Sequence, residues 1–293
     1  MLDVESPNAP LLVATDGEHD SDGSVRVGIA LARRDGTRAE LFSVVEPIVR
    51  FAEDEIAADV ESLTGLTLES RDAALRAQRD RTHPGTHEWP FTLDTGDRVA
   101  RIAETADVRG ASTIILGLGA HGISARLMQR ETAVRVMRAA RVPVLAVPSD
   151  AWGVPHSALA AIDFTESSER AAHAALALLG KEGKLYLAHV TPRIPMPQAD
   201  SRQWGDVTRP TVMPGLIALA KRLAPPRGVE VEFVWLHGEP AHEILAFADQ
   251  FHIDLVAAGA HGKTALERLV LGSVSTTLVR TAHCWVLVAP AAH

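Results

Sequence analysis

Two overlapping phosphate-binding patterns occupy the stretch AAGAHGKTALERLVLGSV, which runs from Ala257 to Val274. The first is the phosphate-loop pattern, in which a small residue and four spacers precede the Gly-Lys-Thr triplet at 262–264. The second is glycine, two spacers, glycine, nine spacers and Gly-Ser, at Gly259, Gly262, Gly272 and Ser273. Each pattern would bring backbone N–H groups close to nucleotide phosphates, but the two belong to different folds. The remainder of the chain decides between them.

Internal symmetry is the strongest feature of the sequence. A unit of roughly 145 residues occurs twice, as the similarity between 114–148 and 255–290 indicates. Matching the Gly-Ala-His-Gly strings gives pairs at an offset of 140: Gly119 with Gly259, Gly122 with Gly262, Thr132 with Gly272, and Ala133 with Ser273. Upstream, Asp16 matches Asp163 at an offset of 147. Loops that differ in length between the copies would account for the change of offset from 147 to 140.

Each half alternates short apolar strands with alanine-rich or amphipathic helix patterns. The first strands, at 11–15 and 159–162, end at an aspartate, and each glycine loop follows the fourth strand of its half. Such alternation predicts parallel strands joined by right-handed helical crossovers. We therefore expect an α/β fold of two tandem open, doubly wound, five-stranded parallel sheets, with domains at 1–150 and 155–293. The Pro-rich segment 191–210 is expected to form a loop or lid.

The position of the glycine loop favours the longer pattern. A phosphate loop follows the first strand of its domain, whereas this loop follows the fourth, and Ala257 would lie inside that strand. The first copy also has Ile-Ser at 123–124 where the second has Lys-Thr at 263–264. In the longer pattern, Gly272 would interrupt helical geometry and Ser273 would cap the next helix. An anion site at the start of that helix follows, at the carboxyl edge of the sheet where ligands bind.

Composition limits the partners and the compartment. The 293 residues carry a net charge of −8 with a pI near 5.9, which disfavours nucleic acid and acidic membrane surfaces. A single cysteine, Cys284, suits a reducing compartment, and the acidic N-terminus lacks the pattern of a signal peptide. The apolar runs are too short to span a bilayer. We expect a cytoplasmic protein that binds neither nucleic acid nor membrane.

The histidines predict neither catalysis nor a metal site. His121 and His261 occupy equivalent positions in the two halves, which favours a packing role in the turn over a catalytic one. His237 and His242 lie five residues apart, without acidic or cysteine partners at ligand spacing. We therefore assign no catalytic residue and no metal ligand.

The second half resembles a known family. The strings DLVAAGAHGKTALERLVLGSVSTTLVRTAHCWVLV and AIDFTESSERAAHAAL are similar to the C-terminal signature and to the first strand and helix of universal stress proteins of the ATP-binding subgroup. The resemblance covers nearly the whole chain, twice, and implies two pseudo-two-fold-related domains of the adenine-nucleotide alpha-hydrolase-like fold. It implies that ATP, alone or with Mg²⁺, contacts Asp163, Val190, Gly259, Gly262, Gly272, Ser273, Val274 and Ser275.

The resemblance also implies a role for each part of this site. The aspartate would lie near adenine and ribose, the Val190 backbone would bond the adenine edge, and residues 272–275 would hold the β- and γ-phosphates. The first half departs from the pattern, since Thr132 and Ala133 replace Gly-Ser and Glu131 adds a carboxylate. We expect the second domain to bind ATP and the first to bind it weakly or not at all.

At the level of function, the resemblance implies a stress-response regulatory protein that binds an adenine nucleotide, with at most slow hydrolysis, and acts on an unidentified protein partner. Two alternatives stay open: a low-turnover ATPase or adenylyl-transferring enzyme, and a nucleotide-free protein-interaction module. In this family the last strands pair across a dimer interface. VPVLAVP and CWVLVAP would then pair within one chain as a pseudo-dimer, and a homodimer of chains is a further alternative.

Overall fold

The structure is a computed structural model that describes residues 9–46, 57–83, 89–119, 123–192, 201–260 and 271–291. The chain divides into two compact units. Unit 1 comprises Met1–Val142 and Ala146–Gly153, and unit 2 comprises Pro143–Leu145 and Val154–His293. In each unit a helix connects every pair of consecutive strands, which is the predicted crossover arrangement.

The elements of unit 1 follow the predicted alternation. They are β1 (Leu11–Ala14), α1 (Asp22–Asp35), β2 (Ala39–Val45), α2 (Ala57–Thr82), β3 (Phe91–Thr95), α3 (Arg98–Arg109), β4 (Thr113–Gly117), α4 (Ile123–Ala139) and β5 (Val144–Val147). A 3-10 turn at His19–Ser21 precedes α1. The strand order is β3-β2-β1-β4-β5, and β1 pairs in parallel with β2 and β4.

Unit 2 repeats this architecture. Its elements are β6 (Ser157–Ala161), α5 (Glu166–Leu179), β7 (Glu182–Thr191), α6 (Ser201–Leu223), β8 (Gly228–His237), α7 (Pro240–Gln250), β9 (Leu255–Gly259), α8 (Ser273–Thr281) and β10 (Trp285–Ala289). The order is β8-β7-β6-β9-β10, again with the first strand central, and the pairings are parallel. The predicted fold of two open parallel sheets is confirmed. In the part of the chain that the structure describes, no helix combines the length and apolarity needed to cross a bilayer.

Buried central strands form the core of each unit. β1 and β4 in unit 1, like β6 and β9 in unit 2, have neighbouring strands on both sides. β1, β4 and β9 are buried along nearly their whole length, and β6 is buried at its three central residues. Strands that are covered on both faces carry continuous apolar runs, such as LLVA at 11–14 and LVAA at 255–258. Small residues let the helices approach the sheet closely, and Ala171, Ala172 and Ala175 of α5 are fully buried.

One predicted loop is helical. The sequence predicts a loop over 191–210, but α6 begins at Ser201, so the prediction is wrong from that residue onward. Residues 193–200 lie outside the described part of the chain. Three leucines of α6 are buried at helical spacing: Leu216, Leu219 and Leu223. Packing of α6 on β7 and β8 outweighs the low helix propensity of the prolines and glycines in its sequence.

The first and fourth strands pair in the same way within each sheet. This pairing corrects the offset of 140 that was taken from the Gly-Ala-His-Gly strings. Facing partners are Val13 with Ile115 in unit 1 and Ala160 with Ala257 in unit 2. Asp16 lies three residues after Val13, and Asp163 lies three residues after Ala160. The first strands of the two units therefore match at an offset of 147. The fourth strands match at 257 − 115 = 142. Gly117 is therefore level with Gly259, and the pairing of Gly119 with Gly259 is wrong within this strand.

The offset of 142 continues into the last helix and strand. Leu118 N–H donates to Val147 O, and Ala260 N–H donates to Ala289 O, both at 2.8 Å. The bonds that close the two helices keep the same spacing: Ala140 N–H to Val136 O after α4, and Ala282 N–H to Leu278 O after α8. Residues 131–133 of α4 are consequently level with residues 273–275 of α8.

A buried polar cluster fastens α2 to the loop between β1 and α1. Gln78 Nε2 donates to Ser21 Oγ at 2.9 Å and to Asp22 Oδ1 at 3.0 Å. Thr15 Oγ1 donates to Gln78 Oε1 at 2.7 Å, and Arg81 binds both carboxylate oxygens of Asp22, at 2.7 and 2.8 Å. Gln78 and Asp22 are 1% and 5% exposed, so these bonds replace the hydration that burial removes.

We predict that Asp22 makes an acid-sensitive contribution to stability. Burial opposes its charge, but hydrogen bonds from Arg81 and Gln78 outweigh burial and hold the pKa of the Asp22 carboxyl below its ordinary value. A carboxyl whose folded pKa is lowered stabilises the fold above its unfolded pKa, and this stability is lost as the pH falls through the folded pKa. Asp22→Asn should therefore lower the free energy of unfolding by about 2 kcal/mol at pH 7 and by less at pH 3.

Urea unfolding followed by circular dichroism at both pH values measures this difference. Asp72→Asn is the control, because Asp72 is 38% exposed and its ion pair with Arg76 lies in solvent, where an ion pair contributes little to stability. An equal loss for Asp22→Asn at the two pH values, or an equally large effect in the control, contradicts the prediction.

Candidate functional site

The predicted site residues of unit 2 gather at the carboxyl edge of its sheet. Asp163 follows β6, Val190 lies near the end of β7, and Gly259 ends β9. These strands are neighbours in the order β9-β6-β7, so their carboxyl ends lie side by side. Residues 272–275 form the cap and first turn of α8, the helix after β9. Gly262 lies outside the described residues.

Asp163 supports the helix cap after β6 with only one of its carboxylate oxygens. Oδ1 accepts bonds from Thr165 N–H at 2.9 Å and from Thr165 Oγ1 at 2.5 Å. Thr165 is the N-cap of α5 and accepts from Ser168 N–H at 3.3 Å. Among the described residues, no donor reaches Oδ2 of Asp163. Asp163 is thus oriented by the cap while one oxygen remains able to accept a bond from a ligand.

The end of β7 leaves the backbone of Val190 facing an open side. Ile162 N–H donates to Ala188 O at 2.7 Å, and Val190, two residues further, faces the same β6 side. The Ile162 carbonyl, which would continue the ladder to Val190, accepts instead from His189 Nδ1 at 2.7 Å. Within the described residues, the N–H and C=O of Val190 have no partner on that side. They form a donor and acceptor pair at the sheet edge.

Packing inside the protein explains the glycine at 259. A Cβ there would lie 2.4 Å from Ser167 Oγ and 2.7 Å from Ser168 N, in the first turn of α5. Contacts this short with backbone atoms force the helix and strand apart. The close approach of α5 to β9 therefore requires Gly259, whether or not a ligand is bound.

Among the described residues, Gly272 has no such packing contact. Its φ of −56° and ψ of 151° suit any residue, and an added Cβ would meet no described atom closer than Ala260 O, at 3.5 Å. The residue is the N-cap of α8 and makes no side-chain cap bond. Ser273 was expected to cap this helix, but that prediction is wrong, because Ser273 is already the first helical residue. Among the described residues, no side chain caps this helix start.

The first turn of α8 presents backbone N–H groups without helical partners. Intrahelical bonding begins with Thr276 N–H, which donates to Gly272 O at 2.9 Å, so the N–H groups of 273–275 precede the first helical bond. Ser275 Oγ donates to Gly259 O at 2.5 Å and ties this turn to the end of β9. The turn is therefore a positioned cluster of donors, with the positive end of the helix dipole behind it.

Phe164 is a site residue that the sequence analysis missed. It follows Asp163 with φ of 64°, a left-handed conformation that is costly for an aromatic residue. Its ring is 37% exposed and lies 5.4 Å from the ring of His189, between centroids. Gly17 holds the equivalent position in unit 1 with φ of 81°. The replacement of a left-handed glycine by phenylalanine was the available signal.

In unit 1, the residues level with the start of α8 do not begin a helix. Its α4 runs without interruption from Ile123 to Ala139, so residues 131–133 lie inside a helix. Their N–H groups bond to carbonyls four residues earlier and are not available to an anion. Ala133, level with Ser275, has no hydroxyl to bond the strand end, and Glu131 is level with Ser273. Unit 1 therefore differs from unit 2 by more than the replacement of Gly-Ser that the sequence indicated, because α4 begins earlier than α8 relative to the sheet.

The described histidines do not form a metal site. Among residues with described side chains, no group of three His, Cys, Asp or Glu could hold a metal ion. His237 packs edge-on against Trp235, with ring centroids 3.9 Å apart. His121 and His261 lie outside the described residues.

Comparison with protein families gives one model that matches both halves. The model of the Universal stress protein family matches residues 8–148 and 156–290. Universal stress protein MJ0531 of Methanocaldococcus jannaschii is 38% identical over 106 residues, which are 36% of this chain and 61% of that protein. This chain therefore spans less than two thirds of the length of that curated relative.

Comparison with solved structures gives the same fold. A universal stress protein from Archaeoglobus fulgidus superposes with a TM-score of 0.63 at 18% identity, covering 97% of this chain and 96% of that chain. A universal stress protein in complex with cAMP matches 50% of this chain and 100% of its own, with a TM-score of 0.34 and 19% identity. The first similarity supports the two-sheet architecture over the whole chain.

The contrast between the two described glycines predicts different costs of substitution. Gly259→Ala should lower the free energy of unfolding by about 3 kcal/mol, because α5 must shift to admit the Cβ. Gly272→Ala is the matched control and should cost no more than about 1 kcal/mol, because its Cβ would meet no described atom closer than 3.5 Å. Thermal and urea unfolding of the full chain measure both, and equal losses in the two variants would contradict this account of the site.

Proposed function

The chain belongs to the Universal stress protein family, and we propose that it is a stress-response regulatory protein whose second domain binds ATP. The proposal assigns the nucleotide to the carboxyl edge of the unit 2 sheet. The helix start at Gly272 is the observation that supports this proposal. Among the described residues, neither backbone conformation nor packing requires a glycine there, and the N–H groups that follow it precede the first helical bond.

Adenine would lie against the end of β7. The N–H and C=O of Val190 provide one donor and one acceptor in a row, which suits the ring nitrogen and amino group of the adenine edge. Asp163 would accept a ribose hydroxyl with Oδ2, because Oδ1 is already bound by Thr165. Phe164 offers an exposed aromatic face beside these two groups.

The phosphates would lie over Gly272 and the first turn of α8. A nucleotide phosphate needs several N–H donors and favours the positive end of a helix dipole. The N–H groups of Ser273, Val274 and Ser275 meet that need, and the missing Cβ of Gly272 lets an oxygen approach the backbone. Gly259 contributes by packing the strand end against α5, and Gly262 is proposed from the sequence motif alone.

We propose binding with at most slow hydrolysis. Of the groups assigned to the site, Asp163 is the single titratable side chain, and its Oδ1 is engaged by Thr165. The remaining assigned groups are glycines, serines and valines, which do not act as general bases. Mg²⁺ would accompany ATP through the phosphates rather than through a protein cluster.

Signalling would then depend on recognition of the ATP-bound form by a protein partner. The cytoplasmic location and the pairing of last strands, within or between chains, stay predictions of the sequence.

Isothermal titration of the full chain with ATP tests the proposal. Gly272→Glu should weaken ATP binding by at least about tenfold, because its carboxylate occupies the phosphate position and repels the ligand. Ser273→Ala should have a smaller effect, since the backbone N–H is retained. Val108→Glu is the matched control, as it adds the same charge at a side chain that is 79% exposed on α3.

Circular dichroism should confirm that the variants are folded, which the open space at Gly272 predicts. Undiminished ATP affinity in Gly272→Glu would refute the proposed site. Absence of ATP binding by the unaltered protein would favour the alternative of a nucleotide-free interaction module.

A further inference from the structure

Strand β8 forms an outer edge of the unit 2 sheet. It is the last strand in the order β10-β9-β6-β7-β8, and no described strand lies beyond it. β8 runs over ten residues, whereas β3, the outer strand of unit 1, has five. A long outer strand offers a row of backbone donors and acceptors to a further strand.

The outward backbone groups of β8 include those of Val231, Phe233 and Trp235. Gly238 N–H donates to Thr191 O of β7 at 3.1 Å, so the even-numbered residues of β8 face β7 and the odd-numbered residues face away. Within the described residues, the N–H and C=O groups of 231, 233 and 235 have no hydrogen-bond partner. Donors and acceptors therefore alternate along the outer side of this strand.

The side chains in the second half of β8 are uncharged and partly exposed. The stretch Phe-Val-Trp-Leu at 233–236 contains no acidic or basic residue, and Phe233 is 36% exposed. The acidic residues of the first half, Glu230 and Glu232, lie 3.6 and 2.5 Å from Lys184 Nζ, which offsets part of their charge. Charge, proline or short length normally protects a sheet edge, and the stretch 233–236 has neither charge nor proline.

The outer strand of unit 1 is protected in ways that β8 is not. The N–H of Thr95, the last residue of β3, donates to Asp94 Oδ1 at 2.8 Å. Arg101 Nε donates to Asp94 Oδ2 at 2.8 Å, and the Arg76 guanidinium lies over the Phe91 ring, 5.5 Å from its centroid. These charged groups, on a strand of five residues, oppose the approach of a further strand.

We propose that β8 pairs antiparallel with β8 of a second copy of this chain. A two-fold axis at Phe233 places Val231 opposite Trp235 of the second copy, and Phe233 opposite its own counterpart. These pairs would exchange about six backbone hydrogen bonds, two for each pair. The interface is separate from the last strands β5 and β10, and it goes beyond the proposed function because it does not depend on ATP.

The charge pattern of β8 selects this register. Two axes, at residue 232 or at residue 233, overlap the ten-residue strands most fully. An axis at 232 would place Glu232 directly opposite Glu232 of the second copy, and like charges in that position destabilise a sheet. An axis at 233 places Glu232 opposite Val234 instead, and Glu230 opposite Leu236. The second axis therefore combines full overlap with the absence of directly opposed charges on β8.

Sedimentation equilibrium of the full chain measures this association. A single strand pair is a small interface, so the unaltered protein should dimerise with a dissociation constant of roughly micromolar size. Phe233→Lys should weaken dimerisation by at least about tenfold, because the two lysines would face each other across the axis. Phe251→Lys is the matched control, since Phe251 is 48% exposed and lies at the end of α7 rather than on β8.

A charge swap separates the loss of this contact from a loss of folding. Phe233→Glu should weaken dimerisation as Phe233→Lys does, because like charges again meet at the axis. An equimolar mixture of the two variants should associate about as tightly as the unaltered protein, because lysine then faces glutamate. Circular dichroism of each variant alone verifies that it is folded.

Hydrogen exchange of the unaltered protein provides a second test that needs no substitution. The outward amides of 231, 233 and 235 should be protected well above the dissociation constant and should exchange rapidly well below it. The amide of Leu93 on β3 is the control. It also faces away from its sheet, because Gly96 N–H donates to Val45 O of β2, and its exchange should not depend on protein concentration.

Several results would overturn the proposal. They are an unaltered protein that stays monomeric up to about 1 mM, undiminished association of Phe233→Lys, a mixture of the charge variants that does not associate, or outward amides whose exchange is independent of concentration. A monomeric protein would leave the edge of β8 to an extended segment of a different protein. None of these results bears on the binding of ATP, which the titration of Gly272→Glu tests separately.

Discussion

The N–H groups of Ser273, Val274 and Ser275 have no acceptor within α8, and the candidate site of unit 2 is organised around them. The bond from Ser275 Oγ to Gly259 O holds this turn at the end of β9. Gly259 in turn allows α5 to lie close to the strand, and Asp163 and Thr165 order the start of α5. An anion is the group that satisfies such a turn best.

The two units share one framework and differ in their last helix. Strand order, crossovers and register agree, with a constant offset of 142 from the fourth strand onward. The difference lies in where the last helix begins. In unit 2 it begins at Ser273 beside the sheet edge, whereas in unit 1 the equivalent residues lie inside α4. A different helix start thus changes which N–H groups are left without helical partners, while the core stays the same.

The sequence predicted the fold because buried parallel strands carry continuous apolar runs, and the same runs occur in both copies of the repeat. It misjudged the alignment of the last quarter, because the identical Gly-Ala-His-Gly strings lie at an offset of 140 while the strands pair at 142. It missed the start of α6, where tertiary packing overrides local propensity. It assigned both Gly259 and Gly272 to the ligand, because the contact of Gly259 with α5 arises only from tertiary packing.

The number of ATP molecules bound per chain tests the central claim most directly. Dialysis of the full-length protein against labelled ATP, at concentrations well above the dissociation constant, gives that number. The account predicts about one ATP per chain, because the start of α8 presents N–H groups at the sheet edge, whereas the residues at the same level of unit 1 lie inside α4. Two per chain would contradict the role assigned to the uninterrupted helix α4, and none would contradict the site assigned to unit 2.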